Sequence, residues 1–328
     1  MYLSSFSITE PEGRVYMYAP SWLNVWESHM YNRSLKSTRS NGWGFKRFGT
    51  RNDIYASEMI RTPHYTQYID AMEEVSETAL HNLSAKERML LMKSRTAFIY
   101  ADSWGESSLF ENITSTLHQA AIDTLPKNLI KKFSVKDFSC KIRGEKQSLV
   151  QAMRLAQDYL DWQIFDFVVI CAAYRAVPVL VFSEEDIALT RKVKYQDKDI
   201  KINLSVERVG CFIFSQRESA LKVDAGKYIH KNNVQTHGDI LSGGEGSLDL
   251  LCFSGLRQNN LWRERFVNNN SAARNISLPE VYGSSGCVTP ALSWTYLQQH
   301  MTPGGKMRTV VPDNFGGFHY FDTCYQRT

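Results

Sequence analysis

Ser148 and Gln151 have the S-x-x-Q spacing of a capping box, so the sequence predicts a helix that begins at Ser148. Leu149, Ala152, Met153, Ala156 and Leu160 then recur at helical spacing and give that helix one apolar face. The turn ahead of such a helix favours a thiolate or an oxyanion, because unpaired backbone N–H groups and the helix dipole attract negative charge. Its residues are Gly144, Glu145, Lys146 and Gln147, with no nucleophile among them. Position and residue type disagree, and that disagreement is the main functional signal in the chain.

The other reactive side chains are scattered. Six cysteines lie at positions 140, 171, 211, 252, 287 and 324, without a C-x-x-C pair and without His/Cys spacing suited to a metal. Several fall in apolar runs, as expected of reduced, buried thiols in a cytoplasmic protein. Cys287 precedes a predicted helix and reads as a packing thiol, with a nucleophilic role as the alternative. Cys140, in the alternating FSCKIRG, reads as a strand residue with the same alternative. His319 reads as a strand residue or a pocket-lining one, and Asn314 as a turn former or a substrate contact. The glycine-rich SGGEGS (242–247) lacks the Lys-Ser/Thr of a phosphate cradle and reads as a turn. No cofactor and no metal are expected.

These positions need a scaffold. After Trp162 the run FDFVVICAAYR reads as a buried strand, and VPVLVF (177–182) as a second one. Tyr68, Met72, Val75, Ala79 and Leu83 predict an amphipathic helix. Ser84 and Glu87 cap a short turn of helix, and residues 94–101 form a strand. The loop DSWGE and a helix over residues 107–125 follow. Residues 31–53, polar and basic, read as an exposed loop. Residues 127–146 are rich in Lys and Arg, and read as a solvated loop or a docking surface for an acidic partner. Val206–Phe214, Leu248–Phe253, Met307–Val311 and Phe318–Cys324 read as strands, with Thr289 and Pro290 as N-cap and first residue of another helix. Strand–helix alternation of this kind predicts an α/β protein. A special turn precedes a capped helix twice, GEKQ before Ser148 and GSSGC before Thr289. Two related halves facing one another would bring both turns into one pocket. The expected division is residues 1–200 and 201–328 within a single compact domain.

Composition narrows the class. At 328 residues, 43% hydrophobic and 22% charged, the chain suffices for a full globular core. A net charge of +4 is too mild to argue for nucleic acid but permits an acidic protein partner. No signal peptide is evident, and no run approaches the roughly 18–20 apolar residues of a membrane span.

The ordered segments resemble the thiolase-fold condensing enzymes, specifically the β-ketoacyl synthases, from about Thr62 onward. KQSLVQAMRLA resembles the nucleophile elbow, VERVGCFIFSQRESA the strand that opens the second half, and LLCFSGLRQNNLWRE the segment of the first catalytic histidine. VYGSSGCVTPALS resembles the segment of the second histidine, and NFGGFH the closing glycine-rich loop. The resemblance implies an α-β-α-β-α sandwich of two pseudo-related halves. It places Lys146 at the nucleophile, or Glu145 or Gln147 if the match slips, Ser254 at the first histidine and Cys287 at the second. Of the family's pattern it keeps the backbone features Gly255, Gly286, Gly316 and Gly317, with Asn314 beside them. Condensation needs a thiolate to take the acyl group and imidazoles to polarise a carbonyl, and none stands at those positions. The resemblance therefore implies a degenerate subunit like the chain-length factors of two-subunit ketosynthases. Such a subunit pairs with an active ketosynthase in a heterodimer and serves an acyl carrier protein. Lys131, Lys132, Lys136, Lys141 and Arg143 are the candidate contacts for that carrier. The alternatives are an active acyl-thioester enzyme with its nucleophile moved to Cys140 or Cys287, and a lone acyl-binding protein.

Overall fold

The computed structural model describes residues 1–18, 24–48, 65–103, 127–136, 138–143, 145–185, 201–230, 248–256, 267, 268, 270, 272–313 and 317–326. Ten strands form one sheet: β1 (Tyr2–Thr9), β4 (Thr96–Ser103), β5 (Phe138–Arg143), β6 (Phe167–Tyr174), β8 (Arg208–Ser215), β9 (Leu221–Ala225), β10 (Leu250–Phe253), β11 (Arg274–Ser277), β12 (Lys306–Pro312) and β13 (Phe318–Tyr325). Their order in space is β11-β10-β12-β13-β9-β1-β8-β6-β4-β5.

That order is a duplication. Within the first five strands it runs third, second, fourth, fifth, first, and within the last five it runs the same way. Strand directions repeat too. β4 is parallel to β5 and β6, and β8 is antiparallel to β6 and β1; β10 is parallel to β11 and β12, and β13 is antiparallel to β12 and β9. The halves join through β1 and β9, where Tyr2 faces Lys222 and Leu3 faces Leu221. The strand Val206–Phe214, expected to open the second half, is instead the fifth strand of the first set.

Helices fill the layers. The helix α5 (Ser148–Asp161) buries the predicted stripe Leu149, Ala152, Met153, Ala156 and Leu160. It lies between the halves: Ser148 Oγ donates to the Asp102 carbonyl on β4 (3.0 Å), and Gln157 bonds Asp224 (3.0 Å) and the Ala225 N–H (2.7 Å) on β9. Beside it α8 (Leu292–His300) sets Trp294 with its ring centroid 5.3–6.2 Å from Phe6, Phe212, Phe214 and Phe321, residues of both halves. On β4, Ala97, Ile99 and Ala101 face this central layer. Phe98 and Tyr100 face outward, against Met72, Val75 and Ala79 of α2 (Tyr65–His81) and Leu129 of α4 (Lys127–Lys132). In the second half Cys252, Met307, Val311 and Phe321 point inward, while Leu251, Phe253, Val310 and Phe318 pack outward. Strands covered on both faces read as continuous apolar runs, which is why they were visible in the sequence. The architecture is the expected α-β-α-β-α sandwich.

Several elements differ from expectation. Residues 31–53 are not an exposed loop as far as they are described: α1 (Val25–Thr38) and β3 (Gly42–Lys46) occupy residues 25–46. Asn24 and Glu27 form a capping box for α1. A three-stranded sheet of β2 (Tyr16–Met17), β3 and β7 (Ile202–Val206) is anchored by Tyr18, Tyr31, Trp43, Phe45 and Phe182. Phe182 belongs to VPVLVF, which is not a strand but α6 (Pro178–Glu185). A short apolar run does not distinguish strand from buried helix by periodicity, and the proline at its start favours the helix. The S-x-x-Q capping box is absent, since Ser148 is already helical and its hydroxyl is spent on Asp102. Ser84 and Glu87 do cap α3 (Ala85–Lys93). The 107–125 helix, Gly144, the 242–247 turn, Asn314 and Gly316 lie outside the described residues.

Candidate functional site

The two special turns meet, as facing halves require. A 3₁₀ turn, Glu145–Gln147, leads into α5, and a second, Gly286–Ala291, leads into α8. Cys287 from the second turn is wholly buried, lies beside Ser148 at the start of α5, and directs its thiol at the Ala173 carbonyl (3.4 Å). Gly286, at φ +50°, lies against the ring of Tyr174 and the Ser103 hydroxyl at the ends of β6 and β4. Tyr174 in turn bonds Ser205 through its hydroxyl (2.8 Å). Thr289 does not cap a helix at Pro290; α8 starts at Leu292, and Thr289 Oγ1 accepts the Ser285 N–H (2.7 Å) inside the 3₁₀ turn. Arg208 ties this turn to β8. It donates to Ser285 (2.6 Å) and the Tyr282 carbonyl (2.7 Å), and pairs with Glu10.

The other predicted positions divide between this junction and its surroundings. Lys146 is half-buried in the first 3₁₀ turn. Ser254, just past β10, is buried with its hydroxyl on the Val310 carbonyl (3.2 Å). Gly255 lies against Pro312, where a Cβ would come within 2.7 Å of the proline ring. Gly317 packs on Tyr228 and donates its N–H to Asp313 (2.7 Å). Among the basic residues, Lys131 and Lys136 are exposed. Lys132 bonds Glu77 (3.2 Å) and the Glu73 carbonyl. Lys141 pairs with the buried Asp102 (2.9 Å), and the Arg143 side chain is outside the described set. Cys140 is half-buried on β5.

Electrostatics make the thiols poor nucleophiles. Burial, with a smaller push from Asp102, raises the Cys287 thiol to about 12 against the lowering influence of Ser148 and the backbone beside it. Burial also raises Cys140. Both are protonated at neutral pH, whereas attack on a thioester needs the thiolate. Among the described residues no group of His, Cys, Asp and Glu is arranged to hold a metal ion. The sequence reading overlooked Asp102, Ser148 as a hydrogen-bond donor, Tyr174 and Tyr228. Only the buried carboxylate at the end of an apolar strand, Asp102, carried a signal that could have been noticed.

A duplicated five-stranded half, an elbow turn and helix in each, and the two turns meeting at the strand ends define a thiolase-like fold. Solved structures agree. Crystal structures of OleA from Xanthomonas campestris superpose over 99% of this chain. A glutamate-to-glutamine variant does so with TM-score 0.59, 10% identity and 98% of its own length, and a cerulenin complex of a histidine variant with 0.57, 9% and 96%. No protein-family model and no curated protein sequence matches the chain. No helix among the described residues is long and apolar enough to cross a membrane.

Proposed function

We propose that this chain is a non-condensing, chain-length-factor-like subunit. It pairs with an active β-ketoacyl-[acyl carrier protein] synthase in a cytoplasmic heterodimer and shapes the acyl tunnel in polyketide, polyene or fatty-acid-like biosynthesis. The observation that carries the reading is Cys287. The residue that the resemblance sets at the second histidine is a wholly buried thiol, raised to about 12 by burial and directed at a backbone carbonyl. The space is packed rather than poised for chemistry. Lys146 and Ser254 at the other two positions supply neither a thiolate nor an imidazole, and the fold similarity to OleA is compatible with this reading. Exposed Lys131 and Lys136 are the preferred carrier-protein contacts, with Arg143 beside them in sequence.

Co-expression with a ketosynthase from the same gene neighbourhood tests it. A stable complex is expected, with the interface of roughly 2,000 Å² or more typical of obligate pairs, and no acyl adduct on this chain by intact mass. A monomer that never co-purifies with a ketosynthase overturns the partner role. A stable acyl adduct on Cys140 or Cys287 supports the relocated nucleophile instead, and a homodimer that binds acyl ligands supports a lone acyl-binding protein.

A further inference from the structure

We propose that Cys171 and Cys211 are a redox-active pair, joined by a reversible disulfide when the chain meets a peroxide. Cys171 on β6 stands directly opposite Cys211 on β8 in the antiparallel ladder. Residues opposed in this way share one face of the sheet and have Cα atoms about 4.5–5.5 Å apart. A disulfide accepts Cα separations of about 4.4–6.8 Å, so the two strands already stand at bridging distance. Both residues belong to the outer layer, with Val75, Val169, Val209 and Ile213. The remaining cysteines oppose no cysteine. Cys140 pairs with Ile99, Cys252 with Ile276 and Thr309, and Cys324 with Lys222 and Lys306, while Cys287 lies in a turn.

The surroundings make the reaction slow and selective. Both thiols are buried under α2, whose Ser76 hydroxyl contacts the Cys171 sulfur (3.6 Å). Burial, with Cys171 beside it, pushes the Cys211 thiol up. The thiolate that attacks an oxidant is therefore scarce at neutral pH and grows with pH. Hydrogen peroxide is scarcely larger than water and enters when α2 opens locally. One thiolate attacks a peroxide oxygen, the O–O bond breaks, and a sulfenic acid and hydroxide form; the hydroxide takes the thiol's proton and leaves as water. The second thiol then attacks the sulfenic sulfur, the S–S bond forms, the S–O bond breaks, and a second water leaves. The two thiols lose two electrons and two protons, and the peroxide gains them. A small dithiol reverses the bond by exchange. Between the two cysteines the chain forms α6 and β7 before it returns as β8. The bond clamps both ends of that excursion and restricts the unfolded chain. In a reducing compartment such a bond is transient and reports exposure to oxidant. Cys287 belongs to the central layer, on the other side of the sheet. The pair uses none of Lys146, Ser254 and Cys287 and needs no partner subunit.

The test treats the full reduced chain with hydrogen peroxide at mildly alkaline pH, blocks remaining thiols with iodoacetamide in denaturant, and maps the unreduced peptides by mass. The expected product is a peptide pair linked through Cys171 and Cys211, returned to free thiols by dithiothreitol. In urea the linked chain is expected to have its unfolding equilibrium constant lowered by about tenfold or more. Cys211→Ala should lose both the link and the gain in stability. Alkylation of both Cys171 and Cys211 after peroxide, their conversion to sulfinic acids without a link, or a predominant link between other cysteines overturns the proposal. So does a linked chain no more stable than the reduced one. If Cys211→Ala fails to fold by circular dichroism, the peptide map and urea comparison of the parent chain decide alone.

Discussion

Gly286 presses its Cα against the ring of Tyr174, so the second-half turn closes directly on the end of a first-half strand. A side chain at 286 would strike that ring and the Ser103 hydroxyl, and φ +50° is a conformation L residues adopt at a cost. Gly286→Ala is therefore expected to destabilise the chain by about 1–3 kcal/mol, from overpacking and backbone strain together. Urea denaturation measures it. Gly13→Ala, with nothing within 4 Å of the added carbon, is the control and should change little.

The same junction predicts thiol behaviour. In the native protein, iodoacetamide at mildly alkaline pH should label Cys140 and Cys324, which are half-buried, well before the wholly buried Cys287. In denaturant all six should react. Peptide mass mapping reads the outcome, and rapid native alkylation of Cys287 would mean an open, reactive centre.

How far the sequence revealed this follows from what its pattern encodes. The α5 stripe and the two-sided apolar strands stand out because burial there is periodic or continuous, and Ser84 with Glu87 is a local signal. The missing nucleophile was also legible, since it needs only position and residue type. The order of β8 was not, because whether a strand ends one repeat or opens the next depends on pairings with strands far away in sequence, such as Tyr174 with Arg208 and Thr9 with Val209. α6 and α1 were misread because Phe182, Tyr31 and Trp43 form one aromatic cluster that only tertiary structure assembles. The Tyr228–Asp313 bond joins residues 85 apart and leaves no periodic trace.

Acid stability should depend on Glu10. Partial burial pushes its carboxyl up, but hydrogen bonds and charge from Lys46 and Arg208 outweigh that and hold it below the usual range. A depressed carboxylate contributes stability above its unfolded pKa, and loses it as pH falls through the folded value. Glu10→Gln should lower stability at neutral pH by about 1 kcal/mol, because Arg208 keeps Ser285 and the Tyr282 carbonyl. It should also flatten the loss below about pH 4. Denaturation midpoints across pH for both proteins check the two effects.

Alkaline stability should fall for the opposite reason. Cys287 is raised to about 12 by burial, and Tyr18 and Tyr228 to about 12 as well, Tyr18 chiefly by burial and Tyr228 by burial and Asp313. An acid whose folded pKa is raised keeps its proton in the native state and loses it on unfolding. Its contribution is intact below the unfolded pKa and drains away as pH rises toward the folded one. For the thiol this window opens near pH 9, and each pH unit inside it removes about 1.4 kcal/mol per fully shifted group. Cys287→Ala should shrink that slope while costing some packing at neutral pH. An alkaline limb identical to that of the parent protein would mean the thiol is already ionised in the fold.

Trp294 tests whether the halves stand as one unit. Its ring reaches Phe6, Phe212 and Phe214 of the first half and Phe321 of the second, and its indole N–H donates to Thr323 (3.0 Å). Trp294→Ala removes contacts from both sides and strands the Thr323 hydroxyl, so a loss of about 3–5 kcal/mol is expected. The loss should appear in a single transition by both circular dichroism and tryptophan fluorescence, because the central layer belongs to neither half alone. Two separated transitions would show halves that fold independently. In that case the meeting of Cys287 with Ser148 would be a contact between autonomous units rather than part of one core.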